Sequence, residues 1–230
     1  MTLPETTSRT RAAATDATDT AAAPAGATAS VPAVVGVLGG GRMGAGIAHA
    51  FLLAGSRVHV VERDEAAAAQ ARERVETALA RSAERGTQIP DADTLTTGVD
   101  GDAFAEAGLV IEAVPEDRDL KRDALARIEG AVQDDAVVAS NTSSISIDAL
   151  AASLARPDRF LGLHFFNPVP ASALVEVVTG ERTAAAVVTR ATHWVEAIGK
   201  AAVVVRDAPG FASSRLGVAL GLEAIRMLEE

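Results

Sequence analysis

The run Val34-Val35-Gly36-Val37-Leu38 is short, continuous and apolar, and Gly39-Gly40-Gly41-Arg42-Met43-Gly44 follows it at once. Such a run reads as a strand buried on both faces, which requires covering layers above and below it. The apolar stretch from Gly44 to about Ala54 is long enough to be a helix. Strand, glycine loop and helix in that order restrict the chain to a parallel-sheet α/β architecture. Gly39, Gly41 and Gly44 also satisfy G-x-G-x-x-G in the context that gives the motif its meaning. Gly39 permits the tight turn, Gly41 lets backbone amides approach a pyrophosphate, and Gly44 allows close helix–strand packing. Arg42 and Met43 complete the loop, and the helix N-terminus favours a phosphate. The next apolar run, Val58-His59-Val60-Val61, ends at Glu62, where an acid takes ribose hydroxyls. A dinucleotide site is expected. Arg63 invites a 2′-phosphate, but Glu62 repels one, so NAD is favoured over NADP and Arg63 reads as a solvated surface charge.

The rhythm continues. Glu65 to Arg85 reads as a long helix, with weak strand character near Leu95–Thr97. Strands follow at Leu109–Val114 and Ala136–Ala139, with a helix from Arg118 to about Ala131 between them. After the segment around His164 come a strand near Leu174–Val178, a helix near Ala184–Ile198 and a strand at Ala201–Val205. The expected fold is a Rossmann-type, doubly wound, mostly parallel sheet over residues 32–207. With 48% hydrophobic but only 3% aromatic residues, its core must be Ala, Val, Leu and Ile. Residues 1–31 are Ala/Thr-rich with almost no bulky apolar side chain, and read as a disordered extension. A transit-peptide reading of its arginines is opposed by Glu5, Asp16 and Asp19. After Pro209-Gly210 the chain reads as a helix with Phe211, Leu216, Leu220, Leu222, Ile225 and Leu228 as its apolar positions.

A net charge of −10 disfavours nucleic acid and anionic membranes as partners. The absence of Cys excludes disulfides, thiolate catalysis and Cys-based zinc sites. No apolar run reaches membrane-spanning length and no signal-peptide stretch opens the chain, so a cytoplasmic location is expected.

Gly162-Leu163-His164-Phe165-Phe166-Asn167-Pro168-Val169-Pro170 precedes Leu174-Val175-Glu176-Val177-Val178. Asn167, Pro168 and Pro170 predict a reversal that brings Glu176 back beside His164. A glutamate on a buried strand needs a partner, and this imidazole is the nearest one. The pair is a candidate general acid/base; the competing reading is a core histidine bonded to backbone. The hydroxyls of Ser140-Asn141-Thr142-Ser143-Ser144 follow a strand end and could bind a substrate oxygen, or cap a helix starting near Ser146–Asp148. Glu116 and Lys121 flank another helix start, where solvated charges are the ordinary expectation. Of the arginines on the long helix, only Arg81 and Arg85 are placed to meet a phosphorylated ligand.

In this order, the glycine loop, Val110–Asp117, Ala139–Ser144, Gly162–Pro168, Leu174–Val178 and Pro209-Gly210-Phe211 resemble the 3-hydroxyacyl-CoA dehydrogenases, 3-hydroxybutyryl-CoA dehydrogenases included. The resemblance covers roughly Ala33 to the C-terminus. It implies His164 as the catalytic base with Glu176 as its paired acid, and Ser143 and Asn167 around the substrate oxygen and nicotinamide. It implies Glu62, Glu116 and Lys121 as cofactor contacts. Arg85 stands where relatives use a lysine toward CoA, and Ala78 where they use a serine. Ser214 replaces an asparagine that follows Pro-Gly-Phe in the family. The implied reaction is oxidation of an L-3-hydroxyacyl-CoA by NAD, or the reverse reduction. A non-CoA 3-hydroxy acid dehydrogenase and a dinucleotide-binding module without turnover are the alternatives. Relatives continue into an all-α second domain, which implies that residues 208–230 are its start and that this chain is expected to lack most of it. A homo-oligomer or a separate C-terminal domain would then complete the cleft.

Overall fold

A computed structural model of the protein describes residues 30–230. The extension expected over residues 1–31 therefore lies almost wholly outside the described residues. Strands β1 (Val34–Leu38) and β2 (Arg57–Val61) flank helix α1 (Arg42–Leu53), and α2 (Glu65–Glu84) leads to β3 (Leu95–Gly98). Then come β4 (Leu109–Glu112), α3 (Arg118–Ala131), β5 (Val137–Ser140), α4 (Ile147–Ala151) and β6 (Phe160–Phe165). The remainder is β7 (Leu174–Thr179), α5 (Ala185–Ala197), β8 (Ala201–Arg206) and α6 (Ser213–Glu229).

The strands form one sheet in the order β3-β2-β1-β4-β5-β6-β7-β8. The pairs from β3 through β6 are parallel, β7 is antiparallel to β6, and β8 is parallel to β7. The doubly wound reading holds. Successive side chains point to opposite faces, so each apolar strand feeds two cores. Val35, Val37, Ile111 and Leu163 pack with Ile47 and Phe51 of α1, Val75 of α2 and Trp194 of α5. Val34, Val110 and Phe160 pack on the other face with Leu125 and Ile128 of α3 and Leu150 of α4. Fully burying each of the larger side chains is worth about 1.5–3 kcal/mol. Among the described residues, no helix is long and apolar enough to cross a membrane.

Two boundaries differ from expectation by two residues. Helix α1 begins at Arg42 because Gly41 is its extended N-cap and the Gly41 carbonyl already accepts from the Ala45 amide. Arg42 and Met43 thus lie in the first helical turn. Strand β4 stops at Glu112 because the Val114 amide turns back to the Glu112 carboxylate. At the other end of the chain, β8 exposes Val203 and Val204, and no residue of α6 is buried.

Candidate active site

At the C-terminal ends of the parallel strands a cavity of about 880 Å³ opens, lined among others by Gly41, Glu62, Glu116, Ser143, His164 and Asn167. It sits beyond the ends of the neighbouring strands β1 and β4, where the strand order reverses, the place where open α/β sheets hold ligands.

The glycine loop forms its floor. Gly39 adopts φ +97°, in the left-handed region that glycine enters without a side-chain clash, and its amide donates to the Val61 carbonyl at 2.9 Å. A Cβ on Gly44 would lie 1.8 Å from the Gly39 carbonyl oxygen, so the helix can approach the loop only with glycine there. A Cβ on Gly41 would meet nothing within 4 Å, because it would project into the open cleft. Asp64, Asp117 and Ser146 cap α2, α3 and α4 with their side chains, whereas no side chain caps α1. Its amides are left for an anion. Arg42 and Met43 line the cleft beside them. Glu62 accepts from the Gly40 amide at 2.7 Å and from the Arg63 amide at 3.2 Å, which ties the strand-end acid to the loop. Arg63 is 83% exposed and pairs with Asp64, as a solvated surface charge should. Bare helix amides, the unfilled space at Gly41 and the terminal acid fit a dinucleotide.

The opposite wall carries the candidate acid/base pair. His164 and Glu176 are direct cross-strand partners of the antiparallel β6–β7 pair. The His164 Nδ1 and Glu176 Oε2 lie 2.6 Å apart, with the side chains 8% and 1% exposed. The reading of a core histidine bonded to backbone fails. With Nδ1 committed to the carboxylate, Nε2 is the nitrogen available to a substrate. Phe166 and Phe211 flank the imidazole at ring-centroid distances of 4.5 and 5.7 Å. Burial opposes ionisation of Glu176. The His164 bond outweighs it, together with the hydroxyl and amide of Ser213 and the amide of Ala212, and holds the carboxyl below its usual range.

Between the walls runs a second polar network. Glu116 Oε1 accepts from the Thr142 hydroxyl at 2.6 Å, the Ser143 amide at 2.9 Å and the Ser144 amide at 3.0 Å. The Ser143 and Ser144 hydroxyls point to the same oxygen. These groups therefore fasten the loop to Glu116, and the capping of α4 falls to Ser146. Burial raises the Glu116 carboxyl. The Thr142 bond, the Lys121 ammonium and the Ser143 and Ser144 donors overcome that and bring it to about 2. The expectation of a solvated Lys121 is overturned, since the residue is 1% exposed. Its ammonium donates to Glu112 Oε1 at 2.7 Å and to the Val114 carbonyl at 3.1 Å, and faces Glu116 Oε2 at 3.3 Å. Burial is tolerated because every one of its donors has an acceptor.

Asn167 lines the cleft beside His164. Arg85 and Ser214 are not brought to it. Arg85 caps the end of α2 and donates to the Ser82 hydroxyl at 3.2 Å, and Ser214 lies in the first turn of α6. Sequence reasoning missed Glu112 and Ser213. Glu112 carried a readable signal, an acid at the end of an apolar strand, which is the argument applied to Glu176. Ser213 carried none.

Residues 34–208 match the family described as 3-hydroxyacyl-CoA dehydrogenase, NAD binding domain. This chain belongs to that family. Its members are oxidoreductases with NAD as cofactor. Relatives include the fatty acid oxidation complex subunit alpha of Pseudomonas paraeruginosa, 39% identical over 186 residues. That alignment takes in 78% of this chain and 26% of the relative, so the chain spans about a quarter of the length of the curated relatives it matches. M. tuberculosis FadB2 is similar in structure, with a TM-score of 0.80 and 40% identity over 86% of this chain and 72% of its own. So is the (S)-3-hydroxybutyryl-CoA dehydrogenase PaaH1 of Ralstonia eutropha, with a TM-score of 0.75 and 37% identity over 80% of this chain and 67% of its own. The segment matched to the dehydrogenase family holds every cleft residue from Gly39 to Asn167, while Ser213 lies beyond it.

Proposed function

We propose that this chain carries the NAD-binding and acid/base half of an L-3-hydroxyacyl-CoA dehydrogenase, interconverting 3-hydroxyacyl-CoA and 3-ketoacyl-CoA. The observation that carries the reading is the His164–Glu176 pair facing the glycine loop across one cleft. When bound, NAD supplies the hydride acceptor for C3. The chain's own residues manage the proton. His164 Nε2 takes it from the 3-hydroxyl in the oxidative direction and returns it in the reductive one. Glu176, kept ionised by its donors, holds the ring in one tautomer and stabilises the imidazolium that forms. Ser143 and Asn167 stand beside the reacting oxygen, and Glu116 with Lys121 fixes the Ser143 loop. Arg85, exposed at the end of α2, is assigned to the anionic CoA end. The apolar side chains of α6 are assigned to a second subunit or a C-terminal domain that closes the cleft.

The test is oxidation of NADH with acetoacetyl-CoA, run beside NADH-binding fluorescence. His164→Gln is expected to lower turnover about 10²–10⁴-fold with NADH binding intact. Near wild-type turnover in that variant would remove His164 from the chemistry. NADH binding without turnover in the wild-type chain would favour the binding-module reading.

A further inference from the structure

Glu176 is held from outside its own sheet. Its Oε1 accepts from the Ala212 and Ser213 amides at 3.0 and 2.8 Å, and its Oε2 accepts from the Ser213 hydroxyl at 3.0 Å while also facing His164 Nδ1 at 2.6 Å. Four donors fill the acceptor positions of one carboxylate. The N-cap of α6 is Ala212, which has no side chain to offer, so Glu176 serves as the cap from a neighbouring strand. Phe211 makes this possible. It is 4% exposed, packs beside His164 and takes φ +48°, a conformation a bulky side chain adopts only under constraint. That turn aims the Ala212 and Ser213 donors at Glu176.

We propose that Ser213 is a positioning residue for the His164–Glu176 pair, its hydroxyl setting how strongly the carboxylate oxygen that faces the imidazole draws the Nδ1 proton. The proposal rests on the reading of His164 as the base. Because Oε2 is shared, the hydroxyl takes part of its acceptor strength. Removing the hydroxyl leaves both backbone donors on Oε1 and gives Oε2 to the imidazole alone. The histidine–carboxylate bond then tightens.

The Nδ1 proton of His164 reports on this directly by NMR in the NADH-bound chain, assigned by its loss in His164→Gln. In Ser213→Ala the resonance is expected to move downfield. The acid limb of the pH–rate profile should move with it, and kcat should fall about three- to tenfold at unchanged NADH affinity. Ser213→Thr, which keeps the hydroxyl, should restore all three. A wild-type resonance in Ser213→Ala overturns the proposal whether or not the chain turns substrate over. A shifted resonance in Ser213→Ala together with near wild-type turnover in His164→Gln overturns the catalytic reading instead.

Discussion

Glu112 and Lys121 form a sealed ion pair, their Oε1 and Nζ atoms 2.7 Å apart and their side chains 0% and 1% exposed. The strand-end acid also accepts from the Ser140 hydroxyl at 2.5 Å and the Val114 amide at 2.7 Å, so it joins β4, β5 and α3 beneath the cleft. Breaking such a pair from one side strands a buried charge, which costs about 3–5 kcal/mol. Lys121→Met is therefore expected to lower the urea midpoint sharply. Glu112→Gln combined with Lys121→Met should be less damaging than the two changes summed, because the amide still reaches Val114 and Ser140. Additive losses in a double-mutant cycle would show that the two charges are not coupled.

The glycines should separate folding from binding. Gly44→Ala places a methyl 1.8 Å from the Gly39 oxygen and is expected to destabilise the whole domain. Gly41→Ala meets nothing within 4 Å, so its melting temperature should match wild type while NADH affinity falls. Thermal melts beside NADH titrations decide it; intact NADH affinity in Gly41→Ala would place the pyrophosphate elsewhere.

Cofactor choice should follow one charge. Glu62→Gln keeps an acceptor for the Gly40 amide while removing the repulsion of a 2′-phosphate. The preference for NADH over NADPH is expected to narrow about tenfold, roughly the value of one partly screened charge contact. Glu62→Ala should narrow it too, with an added loss of NADH affinity from the freed loop amide. An unchanged ratio in both variants would move specificity to another residue.

Acid should loosen the Ser143 loop. The Glu116 carboxyl titrates at about 2 in the folded chain against an ordinary value of 4.5. A depressed acid stabilises the fold above its unfolded value, and that contribution is lost as the pH falls from about 4.5 toward 2. Glu176 is shifted in the same direction. Melting temperatures measured from neutral pH down to pH 3 should fall through the lower part of that range, and Glu116→Gln should flatten the slope. An identical slope in the variant would exclude Glu116 as a source.

Helix α6 leaves Leu216, Val218, Leu220, Leu222, Ile225, Met227 and Leu228 between 53% and 88% exposed. That much apolar surface on one helix favours burial against a second copy. Light scattering is expected to give a mass above the 23.5 kDa of one chain, and Leu220→Lys with Leu228→Lys should return it to that value. A wild-type monomer at micromolar concentration would contradict this.

Much of this arrangement was legible in the residues because it rests on local rules. The glycine loop between a buried strand and an apolar helix dictates its own geometry, and the proline-rich reversal after His164 implied the register that pairs it with Glu176. Lys121 misled because a lysine at a helix start is ordinarily solvated. Its burial depends on Glu112, Val114 and Glu116 converging from another strand end. Ser213 was hidden because its position depends on the φ +48° of Phe211, a backbone state that no residue preference announces for phenylalanine. Ser214, chosen by alignment with an asparagine, lies one residue past the side chain that reaches Glu176.

The root of α6 grips Glu176, and its 17 residues extend about 25 Å from that grip at 1.5 Å per residue. The helix is thus anchored at the His164–Glu176 pair, with the rest of its length unburied among the described residues. What touches the far end can reach Glu176 only through the Ala212 and Ser213 donors at its root, outside the cleft. The route by which the chain leaves the sheet thus ties its outermost helix to the carboxylate behind His164.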